Sequence, residues 1–398
     1  MSEEEYELTP ELITEVSKKS VLESKKISRR IARFIRKIAR IRELLIEGSL
    51  EGAEIVDINS FQEMKPEIAC YAIDSSFKSP LPLVFGDLFL VIGGYVRYPR
   101  VDTNNVRINR GLRVLIRCRE ELISRIQSAI SRIIERKIAL EILRRKDIGR
   151  TKWNLIMLDG PIVPLWPLIL FTRSLYPQER KLLELSRKMI NLCKLKKKSV
   201  LGVIKRVRTH LIGKGIVKIL EDNGYLRDIP PRVLKAMKKA NDKALATLLL
   251  RPGEALIIGD FGTSKIIESE LTEIGRKATF DEFVEENPWI KKVFVLFIKP
   301  KRSRHIVRIE ILDYANIGLE NIMYWLNENS SHTACPYILD IVDKYTAISN
   351  AIYELTRKIM IRSTAQNLAK LLESMEMEEV DLLLELADLQ KKYIPRMG

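Results

Sequence analysis

The chain is predicted to adopt a mixed α/β fold, a central sheet with helices packed around it, and three observations predict it. Apolar runs of strand length recur at residues 68–74, 88–96, 153–161 and 199–204. Segments with apolar residues three and four apart lie between and beyond them, at 11–48, 119–145, 336–360 and 364–392. Two of the apolar runs end in an acid, Asp74 and Asp159. The order of strands, helix, strand, helix, strand and helices is that of a mixed sheet built around those two acids.

Each element has its own justification. In 11–48, Ile27, Ile31, Phe34, Ile38, Ile41 and Leu45 keep the period of one long amphipathic helix. Its other side carries Lys26, Arg29, Arg30, Arg33, Arg36, Lys37 and Arg40, which suit a solvated face, a nucleic-acid contact or a coiled-coil or dimer seam. The runs 68–74 and 88–96, followed by 106–118, read as an antiparallel meander. Residues 119–145 return to helical period through Ile126, Ile130, Ile133, Ile134, Ile138 and Ile142. After the strand at 153–161 comes a helix near 178–195, then a strand at 199–204 that leads into Lys205-Arg206. Residues 210–285 are less regular, with a helix expected at 231–249 and a strand at 255–258, and are expected to form an insertion or subdomain. The runs 293–298 and 306–312 flank Lys299-Pro300-Lys301-Arg302-Ser303-Arg304, a hairpin with a basic tip. The last helical segment carries the acidic run Glu373, Glu376, Glu378, Glu379 and Asp381. The expected division is an N-terminal helical region at 1–60, a core at 61–360 and a C-terminal helix at 361–398.

Composition narrows the function. The 398 residues hold 68 Lys and Arg against 52 Asp and Glu, a net +16, which calls for a polyanionic partner such as nucleic acid or an anionic membrane. The membrane is the weaker choice, because the apolar stripe of 11–48 lacks Trp. No run reaches about 18 apolar residues, and the acidic start has no apolar signal region, so a soluble cytoplasmic protein is expected. Four scattered cysteines without a C-x-x-C pair, and three scattered histidines, disfavour a zinc knuckle or a histidine-rich site. A metal here would sit on carboxylate oxygens, which suits Mg²⁺ or Mn²⁺. Few glutamines and many Ile, Lys, Arg and Glu fit a heat-adapted source. No phosphate-binding G-x-x-x-x-G-K-[ST] and no G-x-S-x-G occurs.

Burying a lone carboxylate costs several kcal/mol, so an acid closing an apolar strand either faces solvent at a sheet end or binds a cation. Asp74 and Asp159, each followed by small residues, make such a pair in a basic chain. Carboxylates without histidine suit two-metal phosphoryl transfer, where one ion activates water and the other steadies the leaving oxygen. Lys205 and Arg206 are placed to neutralise a phosphate. The tip around Lys299, Lys301, Arg302 and Arg304 is suited to tracking a phosphate backbone without reading bases. Arg308 and Glu310 share one strand face and suit an ion pair, and Phe77 or Tyr98 could stack on an unpaired base.

Five segments, Ala72–Ser76, Met157–Pro161, Gly202–Arg206, Ile306–Glu310 and Pro336–Leu339 with Asp343, come in an order that resembles the archaeal NurA nucleases, over roughly residues 65–360. The resemblance implies an RNase H-like mixed sheet core flanked by helices, with a long N-terminal helical region and C-terminal helices. It implies a homodimeric, Mn²⁺-dependent 5′-to-3′ exonuclease with two ions per site (Mg²⁺ as the other metal) and endonuclease action on single strands. It also implies DNA end resection for recombination repair, on the nucleoid, with a HerA-type hexameric ATPase. Position by position it assigns the metals to Asp74, Glu141, Asp159 and Asp343, with Glu135 the rival of Glu141 and Asp340 of Asp343. Lys205 would complete the catalytic set, and Lys205, Arg206, Lys299, Lys301, Arg302, Arg304 and Arg308 would bind DNA. Two positions depart from the family pattern: Cys335 stands where it has an aromatic, leaving Tyr337 as a substitute, and Asp159-Gly160-Pro161 ends in proline instead of serine. The competing expectation is a non-catalytic DNA-binding or scaffolding subunit on a nuclease fold.

Overall fold

The computed structural model describes residues 10–61, 67–78, 81–83, 86–99, 109–115, 120–145, 154–163, 175–207, 209–273, 275 and 277–372. Among them, ten strands form one sheet: β1 (Glu54–Asp57), β2 (Cys70–Phe77), β3 (Leu81–Leu83), β4 (Gly86–Tyr98), β5 (Asn109–Leu115), β6 (Leu155–Asp159), β7 (Ser199–Ile204), β8 (Glu254–Asp260), β9 (Phe294–Lys299) and β10 (Val307–Leu312). Their order is β1-β8-β9-β10-β7-β6-β2-β4-β3, with β5 also paired to β4. The pairings β2–β6 and β6–β7 are parallel and the others antiparallel. The run β5-β4-β2-β6-β7 therefore places an antiparallel three-strand meander beside two parallel strands, the RNase H-like arrangement. Strands β10, β9, β8 and β1 widen the sheet beyond β7.

The helices are α1 (Pro10–Ile46), α2 (Glu120–Arg144), α3 (Pro177–Leu195), α4 (Leu211–Asp222), α5 (Pro231–Lys239), α6 (Asp242–Leu249), α7 (Lys265–Glu273), α8 (Lys277–Glu286), α9 (Leu319–Asn329), α10 (Tyr337–Thr346) and α11 (Asn350–Leu372). The period of two along the strands sorts side chains between two cores. Tyr71, Ile73, Ile156, Leu158 and Val200 pack with residues of α1 to α8. Cys70, Ala72, Leu155, Met157, Leu201 and Val203 pack with α9 and α10 on the other face. Both faces of β6 are thus covered, which is why Leu-Ile-Met-Leu reads as an unbroken apolar run. In α1, Ile38, Ile41, Leu44 and Leu45 are buried, whereas Val21 and Leu22 are exposed, so this helix anchors through its C-terminal part.

The structure corrects several boundaries. The single helix expected at 231–249 is α5 and α6, interrupted because Asn241 accepts from the Ala244 N–H and caps a new start (2.8 Å). Residues 210–285 supply β8 to the main sheet, and α4, α6 and α7 share the larger core. The segment 336–360 is α10 and the start of α11, separated around Ala347–Ser349. The short strands β1 and β3 and the helices α4, α7, α8 and α9 escaped the periodicity reading. The acidic run from Glu373 and Cys118 lie outside the described residues.

Candidate active site

Asp74 is the fifth residue of β2 and Asp159 the last of β6. The register pairs Ile73 with Leu158, so the two acids follow as neighbours on adjacent parallel strands. Both share the parity of Cys70, Ala72, Leu155 and Met157, which places them on the α9–α10 face of the sheet. The Asp159 carboxylate stands close enough to oppose the ionisation of Asp74. Lys205, directly after β7, brings its Nζ to 2.9 Å from Asp159 Oδ2 and 4.0 Å from Asp343 Oδ2. Asp343 projects from α10, whose C-terminal Thr346 carbonyl accepts from the Ser76 hydroxyl and ties that helix to the end of β2. Asp340, one turn earlier, takes the Thr333 hydroxyl instead (3.4 Å). Asp343 is therefore the acid that reaches Lys205.

The fourth acid arrives from the opposite face. Ser75 has the other parity and points to α2, where its hydroxyl donates to Glu135 Oε1 (2.7 Å) beside Ser131 (2.6 Å). The close approach of α2 depends on Gly93 of β4, because a Cβ there would stand 2.5 Å from an Ile134 methyl. Arg136 pairs with Glu135 at 3.4 Å. Glu141, the residue assigned by resemblance, is exposed. Six residues along a helix amount to a rotation of about 240° and a rise of about 9 Å, so Glu141 cannot share the face of Glu135. Of the two, Glu135 is the acid that meets β2 through Ser75.

Electrostatics single out this cluster. Burial, together with the carboxylates of Asp159 and Glu135, pushes Asp74 up to about 9 against the pull of Lys205. Burial also raises Asp159, and Lys205 opposes it. Glu135 is pushed up to about 7 by burial, with Arg136 and the Ser75 hydroxyl acting the other way. Burial disfavours the Lys205 ammonium, but Asp159 and the neighbouring groups more than reverse that, so it stays protonated. Acids that hinder one another's ionisation are a set short of positive charge. Among the described residues no three His, Cys, Asp or Glu side chains form a ready-made cage for a metal ion. The donor chemistry nevertheless fits a hard divalent cation: carboxylate oxygens only, gathered at strand ends, with a lysine ammonium already between two of them.

The expected DNA contacts divide. Arg206, Lys301, Arg302 and Arg304 are exposed, Lys301 pairing with Glu328. Because Arg308 pairs with Ile204 across β10 and β7, the β9–β10 tip lies at the same end of the sheet as Lys205. Lys299 and Arg308 do not belong to that surface. Lys299 is buried and donates to the carbonyls of Thr247 (3.0 Å) and Leu250 (2.9 Å). Arg308 is buried against Glu310 at 2.7 Å. Both lie inside the strand ladder, where side chains turn to the core. Phe77 is exposed at the end of β2, whereas Tyr98 packs against Trp325 (5.5 Å) and Tyr337 (5.9 Å). Tyr337 thus packs in an aromatic cluster with Tyr98, and Cys335 is buried.

Sequence reasoning missed Ser75, Ser131 and Arg136. The signal was the placement of Ser131 and Glu135 four apart within the apolar stripe of α2, where a polar pair requires partners.

A model of a family of unknown function (DUF6686) matches residues 298–396. No curated protein matches the chain in sequence. Among solved structures, the NurA nuclease from Sulfolobus solfataricus is similar at 14% identity and a TM-score of 0.44, over 88% of this chain and 98% of that one. A NurA bound to dAMP and manganese gives 9% identity and 0.43, over 82% and 94%. An endonuclease V from Ciona intestinalis, in complex with DNA containing inosine, gives 12% and 0.32, over 80% and 95%. Likenesses of this degree assign no activity to the chain. No helix among the described residues is long and apolar enough to cross a membrane.

Proposed function

We propose that this chain is a divalent-metal-dependent deoxyribonuclease that hydrolyses phosphodiester bonds. The observation that carries the reading is the convergence of Asp74, Asp159 and Asp343 with Lys205 on neighbouring strands of the sheet, with Glu135 reaching β2 through Ser75. Asp74, Asp159 and Asp343 would hold the metal, with Glu135 the fourth carboxylate. Bound there, one or two Mn²⁺ or Mg²⁺ ions supply water activation and charge neutralisation at the phosphate.

The chain's own groups do the rest. Ser75 and Arg136 hold the Glu135 carboxylate in place. Lys205 keeps its proton beside Asp159 and is positioned to steady the negative charge that develops on the phosphate oxygens. Arg206 and the exposed tip residues Lys301, Arg302 and Arg304 lie at the same end of the sheet and would carry the backbone of the strand approaching the acids. The finer reading, resting on the motif order, is a homodimeric 5′-to-3′ exonuclease that also cuts single strands internally. In that reading it works with a HerA-type hexameric ATPase in end resection.

The test is digestion of end-labelled single- and double-stranded DNA with Mn²⁺, Mg²⁺ or EDTA, with Asp74→Ala alongside. Metal-dependent cleavage lost in the variant supports the proposal. Tight binding without cleavage, with or without the ATPase, would leave only a DNA-binding subunit.

A further inference from the structure

The acids of the site are held by β2, β6, α2 and α10, but the segment that follows Asp159 is held from elsewhere. Glu310 of β10 is fully buried, and its Oε2 accepts the backbone N–H groups of Ile162 (2.7 Å) and Val163 (3.2 Å). Its Oε1 takes the Arg308 guanidinium at 2.7 Å. From the other side, Arg136 Nη2 donates to the Pro161 carbonyl (2.8 Å). The Gly160 N–H donates to the Val203 carbonyl (2.8 Å). Between these anchors lies Gly202, which pairs with Glu310 across the ladder. A Cβ at Gly202 would stand 2.7 Å from the Gly160 carbonyl oxygen and 2.9 Å from the Ile162 nitrogen. Residues 160–163 therefore cross β7 in contact with its backbone and end on the Glu310 carboxylate.

We infer that Glu310 is a positioning residue for Asp159: by receiving the amides of Ile162 and Val163 it fixes the turn that sets where the Asp159 carboxylate stands. The inference rests on the reading of Asp159 as a metal ligand. Glu310 reaches no atom of the cluster through its own side chain in the hydrogen bonds described, so its effect passes through the backbone. A buried carboxylate that serves only stability is commonly replaceable, with its partner, by apolar residues of similar volume. One that orients a ligand is not, and loss of such outer contacts typically weakens metal affinity or activity about 10- to 100-fold. Arg308 takes Oε1 and so leaves Oε2 turned toward the two amides.

The full-length chain is compared with R308L/E310L and R308L/E310Q. The leucine pair removes both charges and the acceptor; the glutamine variant removes both charges but keeps a carbonyl oxygen for the two amides. Mn²⁺ alone is titrated by calorimetry, and cleavage of a DNA oligonucleotide is read as kcat and KM. The expected result is Mn²⁺ affinity about 10-fold or more weaker in the leucine pair, a lower kcat with KM held, and recovery of both in the glutamine variant. Equal Mn²⁺ affinity in the wild type and the folded leucine pair overturns the inference while leaving the nuclease reading intact. A wild type that takes up no Mn²⁺ overturns the metal-site reading, and this inference with it. If the leucine pair does not fold, R308M/E310M, which likewise lacks both charges and the acceptor, serves: faster amide exchange at Ile162 and Val163 with weaker Mn²⁺ binding supports the inference, and unchanged values overturn it.

Discussion

Asp74 of β2 and Asp159 of β6 stand as neighbours on adjacent parallel strands, where burial and the Asp159 carboxylate both disfavour ionisation of Asp74. In the metal-free protein this arrangement opposes stability at high pH. Asp74 moves from an ordinary 3.8 to about 9 in the folded chain. A carboxyl with a raised folded value favours folding below its unfolded value, and that advantage is lost as pH rises through the folded value. Stability in EDTA should therefore fall between about pH 4 and pH 9, with a slope of up to about 1.4 kcal/mol per pH unit from this group. Asp74→Asn should flatten that slope and raise the melting temperature at pH 8 while abolishing cleavage. Thermal melts across pH in EDTA check the first; an equal slope in the variant would show that Asp74 is not the titrating group.

Glu135 and Glu141 offer a direct comparison on one helix. Glu135→Gln should lower kcat by about 100-fold or more, because it weakens the acid bridged to β2 by Ser75. Glu141→Gln should stay within about twofold of wild type, since its side chain is exposed. Steady-state cleavage of the two purified variants decides, and reversed magnitudes would return the assignment to Glu141.

The case of Glu141 shows what the sequence made legible. β2 and β6 were readable because an apolar run covered on both faces must end where an acid can stand, and that located Asp74 and Asp159. Asp343 and Lys205 followed from motif order, and the structure brings them together. Glu141 was preferred to Glu135 for its proximity to the next strand, whereas helical phase turns Glu135, not Glu141, toward Ser75. Lys299 was read as a tip cation because charge suggested exposure, whereas its place in the ladder turns it to the core; Arg308, also named as a DNA contact, makes the ion pair with Glu310 that their shared strand face suggested. The helices between 211 and 286 are 8 to 12 residues long, too short to set up a clear apolar period.

The same distinction governs DNA binding. Replacing Arg302 and Arg304 with alanine should weaken DNA affinity across sequences and reduce the salt slope by about 1 to 2, as expected for lost phosphate contacts. Lys299→Ala should leave that slope alone and lower stability instead, by leaving the carbonyls of Thr247 and Leu250 without their donor. Fluorescence anisotropy at several salt concentrations, with a denaturant melt of each variant, separates the two effects. A slope unchanged in the double variant would move the DNA path away from the tip.

Away from the site, Glu179 is fully buried and bound through both oxygens by Arg125, with Nη2 to Oε2 at 2.7 Å. Its Oε2 also accepts the Tyr176 N–H (2.9 Å) at the start of α3, and the Arg125 guanidinium lies 4.8 Å from the Tyr176 ring centre. The pair thereby joins α2, which carries Glu135, to the N-terminus of α3. Arg125→Met leaves a buried carboxylate without its cation and should cost about 3–5 kcal/mol. Adding Glu179→Leu should recover much of that loss, because an apolar pair no longer strands a charge. Urea melts of the single and double variants measure both quantities. A single variant as stable as wild type would mean that Glu179 is adequately held by the Tyr176 amide alone, and that α2 and α3 are joined by their apolar contacts.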